Sequence, residues 1–344
     1  MDCTHLIGKQ SKDGQEASQQ DCKQFILSLP KENGWGSSQY LYLFQCFWCP
    51  SNMIQPVISF QNHFQAKDSD IVVASLPKSG TTWLKALTFA IVNRNHYSFF
   101  EDHPLLRSNS HELVPFFELK VYGGGIIDQN PQFDLSKMNE PRLFGTHIPF
   151  PSLAKSIKES NCKIIYICRN PFDTFVSSWA FFNKKRLNNS LPIISLEEGF
   201  ESFCKGASPF GPFWENNLCY LKESMSRPDK VLFLKYEELK EDPIFHVTRL
   251  ATFLGYPFTQ EEESKKVVEN IINLCCFETM KELEVNKSGS FGKNTNKFFF
   301  RNAKVGDWKN YLSPSMEEKL SKIVDEKLSG PMSHLENHTT NIIK

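Results

Sequence analysis

Residues 71–92 constrain the fold more than any other stretch. Ile71 to Leu76 is a short, continuous apolar run rich in β-branched residues. Such a run suits a strand buried on both faces of a parallel sheet. Pro77 to Thr82 is a tight turn holding Lys78, Ser79, a lone glycine (Gly80), Thr81 and Thr82. Trp83 to Val92 is apolar nearly all round, as in a buried helix. Strand, small-residue loop and helix together form a phosphate cradle. The free N–H groups of the first helical turn point into the loop, and the helix dipole adds partial positive charge. Lys78 adds a full charge, and the hydroxyls add donors.

This loop is not a Walker A sequence, which requires Gly, four residues, then Gly-Lys-Ser/Thr. Here the lysine precedes the glycine. A nucleotide kinase with a variant loop is therefore a competing enzyme class without motif support.

The same strand–turn–helix order recurs. Cys162 to Cys168 is a second buried strand, followed at once by Arg169-Asn170-Pro171 and a helix expected over 172–182. Val231 to Lys235 is a third strand, with Tyr236-Glu237-Glu238-Leu239 after it. Leu143-Phe144 marks a short strand, and the prolines after His147 stop it, placing His147 at a strand end. Further helices are expected over 196–203, 214–225, 244–254, 261–274 and 316–328. Residues 39–56 read as extended and aromatic, 184–190 as a solvated loop, Gly123 to Gly125 as a flexible turn and 284–308 as a long loop. Strands alternating with helices predict a single α/β domain with a mainly parallel central sheet flanked by helices. Residues 1–20 are polar and read as a flexible arm before a domain spanning 21–344.

Composition narrows the function. In 344 residues Lys+Arg equals Asp+Glu, so the formal net charge is zero and no nucleic-acid partner is indicated. The polar N-terminus and the lack of a long apolar run predict a cytoplasmic protein without a membrane span. The ten cysteines follow no regular framework and read as free thiols. Cys46 and Cys49 form a lone C-x-x-C without a second pair, so no metal site is expected.

Two cation-bearing strand ends and a histidine between them suggest a nucleotide with phosphates at both ends. Here the chain resembles the cytosolic sulfotransferases that use PAPS (3′-phosphoadenosine-5′-phosphosulfate). The resemblance covers residues 65–330 and rests on Pro77–Trp83, Thr146–Pro149, Arg169–Asp173 through Ser177, Leu234–Leu239, and Phe299–Arg301 with Val305–Trp308. Residues 34–50 look most like the plant branch, which sulfates flavonols, steroids, hydroxyjasmonates and related secondary metabolites. The resemblance implies a P-loop-like PAPS cradle at Lys78, Ser79, Gly80, Thr81 and Thr82, with Trp83 on adenine. It implies Arg169 and Ser177 at the 3′-phosphate, helped by Arg301, Asn302 and Ala303, and Tyr236 at the nucleotide. His147 would be the general base on the hydroxyl of a small acceptor, and Lys78 would stabilise the leaving phosphate.

Three departures stand out. The family usually has Lys-Gly where Asn302-Ala303 stands, which implies weaker PAPS binding. Gly145 stands where many animal members have lysine. The animal dimerisation motif is not visible near residues 309–318, so a monomer or weak homodimer is expected. The altered Asn302-Ala303 pair motivates a third reading, a non-catalytic PAPS-binding relative.

Overall fold

The computed structural model describes residues 19–36, 38, 40–99, 101–123, 133–292 and 294–339. The expected arm lies outside the described residues up to position 18. Gln19 and Gln20 already belong to helix α1 (Gln19–Ser28). Of the triple glycine, the described residues include Gly123 alone.

A small antiparallel sheet comes first, β1 (Lys31–Asn33), β2 (Tyr40–Phe44) and β3 (Phe47–Pro50). The turn between β2 and β3 is Gln45-Cys46, with φ of 49° and 67°. Two left-handed residues are what a tight hairpin turn requires. The extended stretch ends at Pro50 and not at Pro56. Pro56 lies in the first turn of α2 (Ile54–His63), where its missing N–H breaks no helical bond. Cys46 is disulfide-bonded, which corrects the expectation that all cysteines are free thiols. Its bond is not to Cys49, a buried free thiol.

The central sheet has four parallel strands: β4 (Ile71–Ser75), β5 (Leu143–Thr146), β6 (Lys163–Cys168) and β7 (Val231–Lys235), in the order β5-β4-β6-β7. Alternate residues feed two separate cores. Val72, Ala74, Ile164 and Tyr166 pack with Phe117, Phe144, Phe175 and Tyr220. Val73, Ile165 and Ile167 pack with Leu84, Leu87, Ile91 and Leu250. Burial on both faces explains the unbroken apolar runs, and each such side chain contributes about 1.5–3 kcal/mol.

On the second face lie α3 (Thr81–Asn93), and, from further along the chain, Pro243–Leu254 and Val267–Cys275. The first face is covered by α4 (Pro171–Asn188), α5 (Phe213–Ser226) and the terminal helix Pro314–Thr339. α4 takes in residues 184–188, which were expected in a loop. Asn170 starts it, its side-chain oxygen accepting the Phe172 N–H at 2.9 Å, with Pro171 in the first turn. The single helix expected over 261–274 is two, Gln260–Ser264 and Val267–Cys275, broken where Lys266 turns left-handed at φ 57°. The long loop of 284–308 carries short elements, including a hairpin of Ser290–Phe291 and Asn294–Thr295.

The chain leaves β4 toward β5 on one side and β6 toward β7 on the other, so a crevice opens between β4 and β6 at the carboxyl edge. At the opposite edge Asp70 and Arg142 precede β4 and β5. Arg142 Nε and Nη2 donate to the two Asp70 oxygens at 2.8 and 2.6 Å, and both side chains are buried. This fork fixes the starts of the two strands. Removing one partner leaves a buried charge uncompensated, so Asp70→Ala should lower stability by about 3–5 kcal/mol. Equilibrium urea unfolding checks this, and a midpoint unchanged from wild type would contradict it.

Candidate functional site

Each of the four strands ends in a side chain that faces the crevice. After β4 the chain turns through Lys78 at φ 69° and Gly80 at φ 110°. A Cβ on Gly80 would stand 2.9 Å from the Tyr236 ring and 3.1 Å from Ile167, so only glycine fits. Gly80 precedes α3 and offers no side-chain cap, leaving the first N–H groups of the helix to the loop. Ser75 and Thr81 hydroxyls bond at 2.6 Å, and Thr82 Oγ1 lies 3.1 Å from His111 Nε2.

Lys78 Nζ rests over the Phe181 ring, 4.4 Å from its centroid. Burial, and then the positive charges of Arg169, Arg301 and Lys184, pull its pKa down to about 7. An ammonium in that setting gains from any anion that enters.

Arg169 follows β6. Its Nη2 donates to the Lys304 carbonyl at 2.8 Å, and its guanidinium lies 4.6 Å from the Tyr236 ring centroid. Tyr236, the first residue after β7, donates to the Ala303 carbonyl at 3.2 Å and meets Trp83 edge-on at 5.6 Å. The 301–308 loop is anchored by two buried carboxylates. Asp307 takes Arg301 at 2.6 Å and Asn302 at 2.8 Å, and Asp173 accepts the N–H groups of Gly306 and Trp308 at 2.8 and 3.1 Å. Ala303 stands at φ 53°, a left-handed position that favours glycine.

His147 follows β5. Its Nδ1 lies 2.7 Å from the Ser75 carbonyl, which can only accept, so the proton sits on Nδ1 and the lone pair on Nε2. The ring packs 4.7 Å from Phe116 and 5.4 Å from Phe210. Burial lowers its pKa to about 3, outweighing the opposing effect of the Ser75 carbonyl, so the imidazole is neutral near pH 7.

These groups line one cavity of about 860 Å³. Lys78, Gly80, Thr81, Thr82, Trp83, His147, Arg169, Ser177, Tyr236, Arg301, Asn302 and Ala303 all reach its wall. Ser79 does not, being buried just behind it. Among the described residues, the buried Ser79 Oγ, Trp83 Nε1, Arg169 Nε and Arg301 Nε have no acceptor. Unmet donors among gathered cations suit a polyanion. Leu41, Phe116, Phe299 and Phe300 supply apolar and aromatic wall. His111, Phe181, Phe210 and Lys185 also line it and carry no motif. A helical reading of 184–188 would have placed Lys185 one turn beyond Phe181. Among the described residues no group of His, Cys, Asp and Glu forms a metal cluster, and no helix is long and apolar enough to cross a membrane.

Comparison with known proteins follows the same lines. Residues 68–331 match the family described as sulfotransferase domain. Cytosolic sulfotransferase 15 of Arabidopsis thaliana is 52% identical over 312 residues, covering 90% of this chain and 85% of the relative. A crystal structure of a candidate steroid sulphotransferase of Arabidopsis thaliana has a TM-score of 0.70 at 38% identity, covering 92% of this chain and 97% of its own. Mouse sulfotransferase SULT7A1, crystallised with PAP, has a TM-score of 0.62 at 27% identity, covering 81% and 91%.

The His147 geometry predicts a single Nδ1–H tautomer. Since its pKa is lowered, the ring should stay neutral from pH 8 down to pH 5. Nitrogen-15 shifts of labelled histidine check this. A His147 ring that protonates near pH 6.5, or shows an Nε2–H signal, would contradict it.

Proposed function

The chain belongs to the sulfotransferase family, and on that premise we propose that it moves the sulfuryl group of PAPS to the hydroxyl of a small phenolic, steroid or other alcohol in the cytosol. One observation carries this reading. Lys78, Arg169 and an Nδ1-anchored His147 meet in a single cavity.

The residues fit a nucleotide with charge at both ends. Lys78, the hydroxyls of Thr81 and Thr82 and the first N–H groups of α3 would hold the phosphosulfate. Arg169, Ser177 and Arg301 would hold the 3′-phosphate. Trp83 and Tyr236, set edge to face, would flank the adenine. The unmet Nε donors of Arg169 and Arg301 support this division, since a 3′-phosphate offers both an acceptor.

PAPS supplies a sulfuryl group joined to phosphate through a bridging oxygen. His147 Nε2 takes the proton of the acceptor hydroxyl as that oxygen bonds to sulfur. Lys78 stabilises the electron pair left on the bridging oxygen when its bond to sulfur breaks. Such transfers depend mainly on positioning and charge stabilisation. The low basicity of His147 favours a neutral ring before transfer, and the Ser75 carbonyl stabilises the imidazolium that forms. The Asn302-Ala303 pair supports the reading of weakened PAPS binding. Asn302 is engaged by Asp307, and Ala303 holds a backbone that glycine would adopt without strain.

Purified protein with labelled PAPS and a panel of flavonols, steroids and hydroxy acids tests the reading, with and without EDTA. Transfer that survives EDTA is expected. PAP binding without any transfer would leave a non-catalytic relative instead. His147→Ala should cut transfer by about 10²–10⁴-fold and leave PAP affinity unchanged; full turnover in that variant would remove His147 from the mechanism. Lys78 gives a separate check. At pH 8 the empty site holds it mostly neutral, and an adjacent phosphate raises its pKa. PAP binding at pH 8 should therefore take up close to one proton, and affinity should fall as pH rises above 7. Calorimetry in buffers of different ionisation enthalpy reads this, and binding without proton uptake would contradict it.

A further inference from the structure

Glu118 is fully buried, lies behind the cavity wall and plays no part in the contacts above. Its segment is set by the edge of the sheet. The Gly145 N–H donates to the Pro115 carbonyl at 2.8 Å, and Phe116 pairs in parallel with Gly145. The chain then enters a π-helical turn, Phe117–Val121, the kind of widened turn that often marks a functional site. There one oxygen of Glu118 accepts the His147 backbone N–H at 2.7 Å, and the other accepts the Thr146 hydroxyl at 3.1 Å. Thr146 Oγ1 in turn accepts the Ile148 N–H at 3.0 Å. One carboxylate thus ties up the whole turn after β5.

Gly145 and Lys85 complete the arrangement. A Cβ on Gly145 would collide with the end of the Lys85 side chain, so the glycine leaves room for that ammonium. Lys85 Nζ is buried, has no hydrogen-bond partner among the described residues and lies 3.0 Å from the Phe116 ring centroid. Burial raises the Glu118 pKa to about 7 and pulls that of Lys85 well down, and each group offsets part of the other's shift. Lys85 also acts to lower the pKa of His147.

We propose that Glu118 is a positioning residue for the general base, an inference that rests on the reading of His147 given above. The Ser75 carbonyl fixes the direction of the imidazole only if the backbone of His147 is itself fixed. Glu118 supplies that second fixed point, so Nε2 keeps one place in the cavity. A displacement of roughly 1 Å in such a group can cost about 10²-fold in rate.

The test uses the full chain with Glu118→Gln and Glu118→Ala. Glutamine keeps the volume and one accepting oxygen; alanine removes both. The readouts are kcat, acceptor KM, PAP affinity and the nitrogen-15 signature of the His147 ring. Glutamine should lower kcat about tenfold and alanine about a hundredfold. KM and PAP affinity should hold, and the single Nδ1–H signature should give way to a tautomer mixture. Wild-type kcat in either variant, or PAP affinity falling in step with kcat, would overturn the proposal. If the alanine variant fails to fold, the glutamine variant decides. No transfer by the wild-type chain would remove the general-base reading, whereas an unaltered ring signature in the variants would remove the positioning role alone.

Discussion

Parallel pairing of four short strands is the constraint from which the site follows. Pairing of β4 with both β5 and β6, and of β6 with β7, brings four carboxyl ends side by side. Lys78, His147, Arg169 and Tyr236 each lie within three residues of such an end. None of them is near another in sequence. The register matters as much as the order, because a slip by one residue would exchange the two cores and turn every strand end to the wrong side. The hydrogen bond from His147 to the carbonyl of Ser75, the last residue of β4, ties two of these ends together directly.

Cations dominate the electrostatics of the cavity. Burial, then the charges of Arg169 and Arg301, lower the pKa of Lys78, whose ammonium lies over the Phe181 ring. The fold tolerates this because carboxylates stand beside the arginines, Asp307 paired with Arg301 and Asp173 3.7 Å from Arg169. Asp173 and Asp307 shape the 301–308 loop, and Glu118 shapes the turn that carries His147. Acids thus organise the frame while cations face the cavity. On the proposed reading, a nucleotide with anionic groups at both ends would complement these cations, and its binding energy would hold the reacting groups together.

Much of this was legible in the sequence, for identifiable reasons. Residues 71–75, 163–168 and 231–235 are buried on both faces, so their apolar runs announce strands without ambiguity. The candidate side chains at those strand ends sit in local motifs, which is why they are legible. Glu118 was not found, although a lone acid inside the apolar stretch 113–122 is an anomaly that burial makes expensive. Its partners lie 28 and 29 residues away, and only the bridge between Phe116 and Gly145 brings them together. Lys85 was hidden for a similar reason: it reads as an ordinary helix residue until Gly145 is seen to leave space for it. Helix ends are less legible: the polar last turns of α4 carry no apolar signal, and the left-handed Lys266 interrupts a smooth amphipathic pattern.

A crystal structure of the protein with PAP tests the central claim most directly. The 5′-phosphate is expected in the Lys78–Thr82 loop, the 3′-phosphate against Arg169 and Arg301, and the His147 ring with Nε2 toward the 5′ end. PAP bound with only one of the two cation groups, or a His147 ring turned out of the cavity, would contradict it.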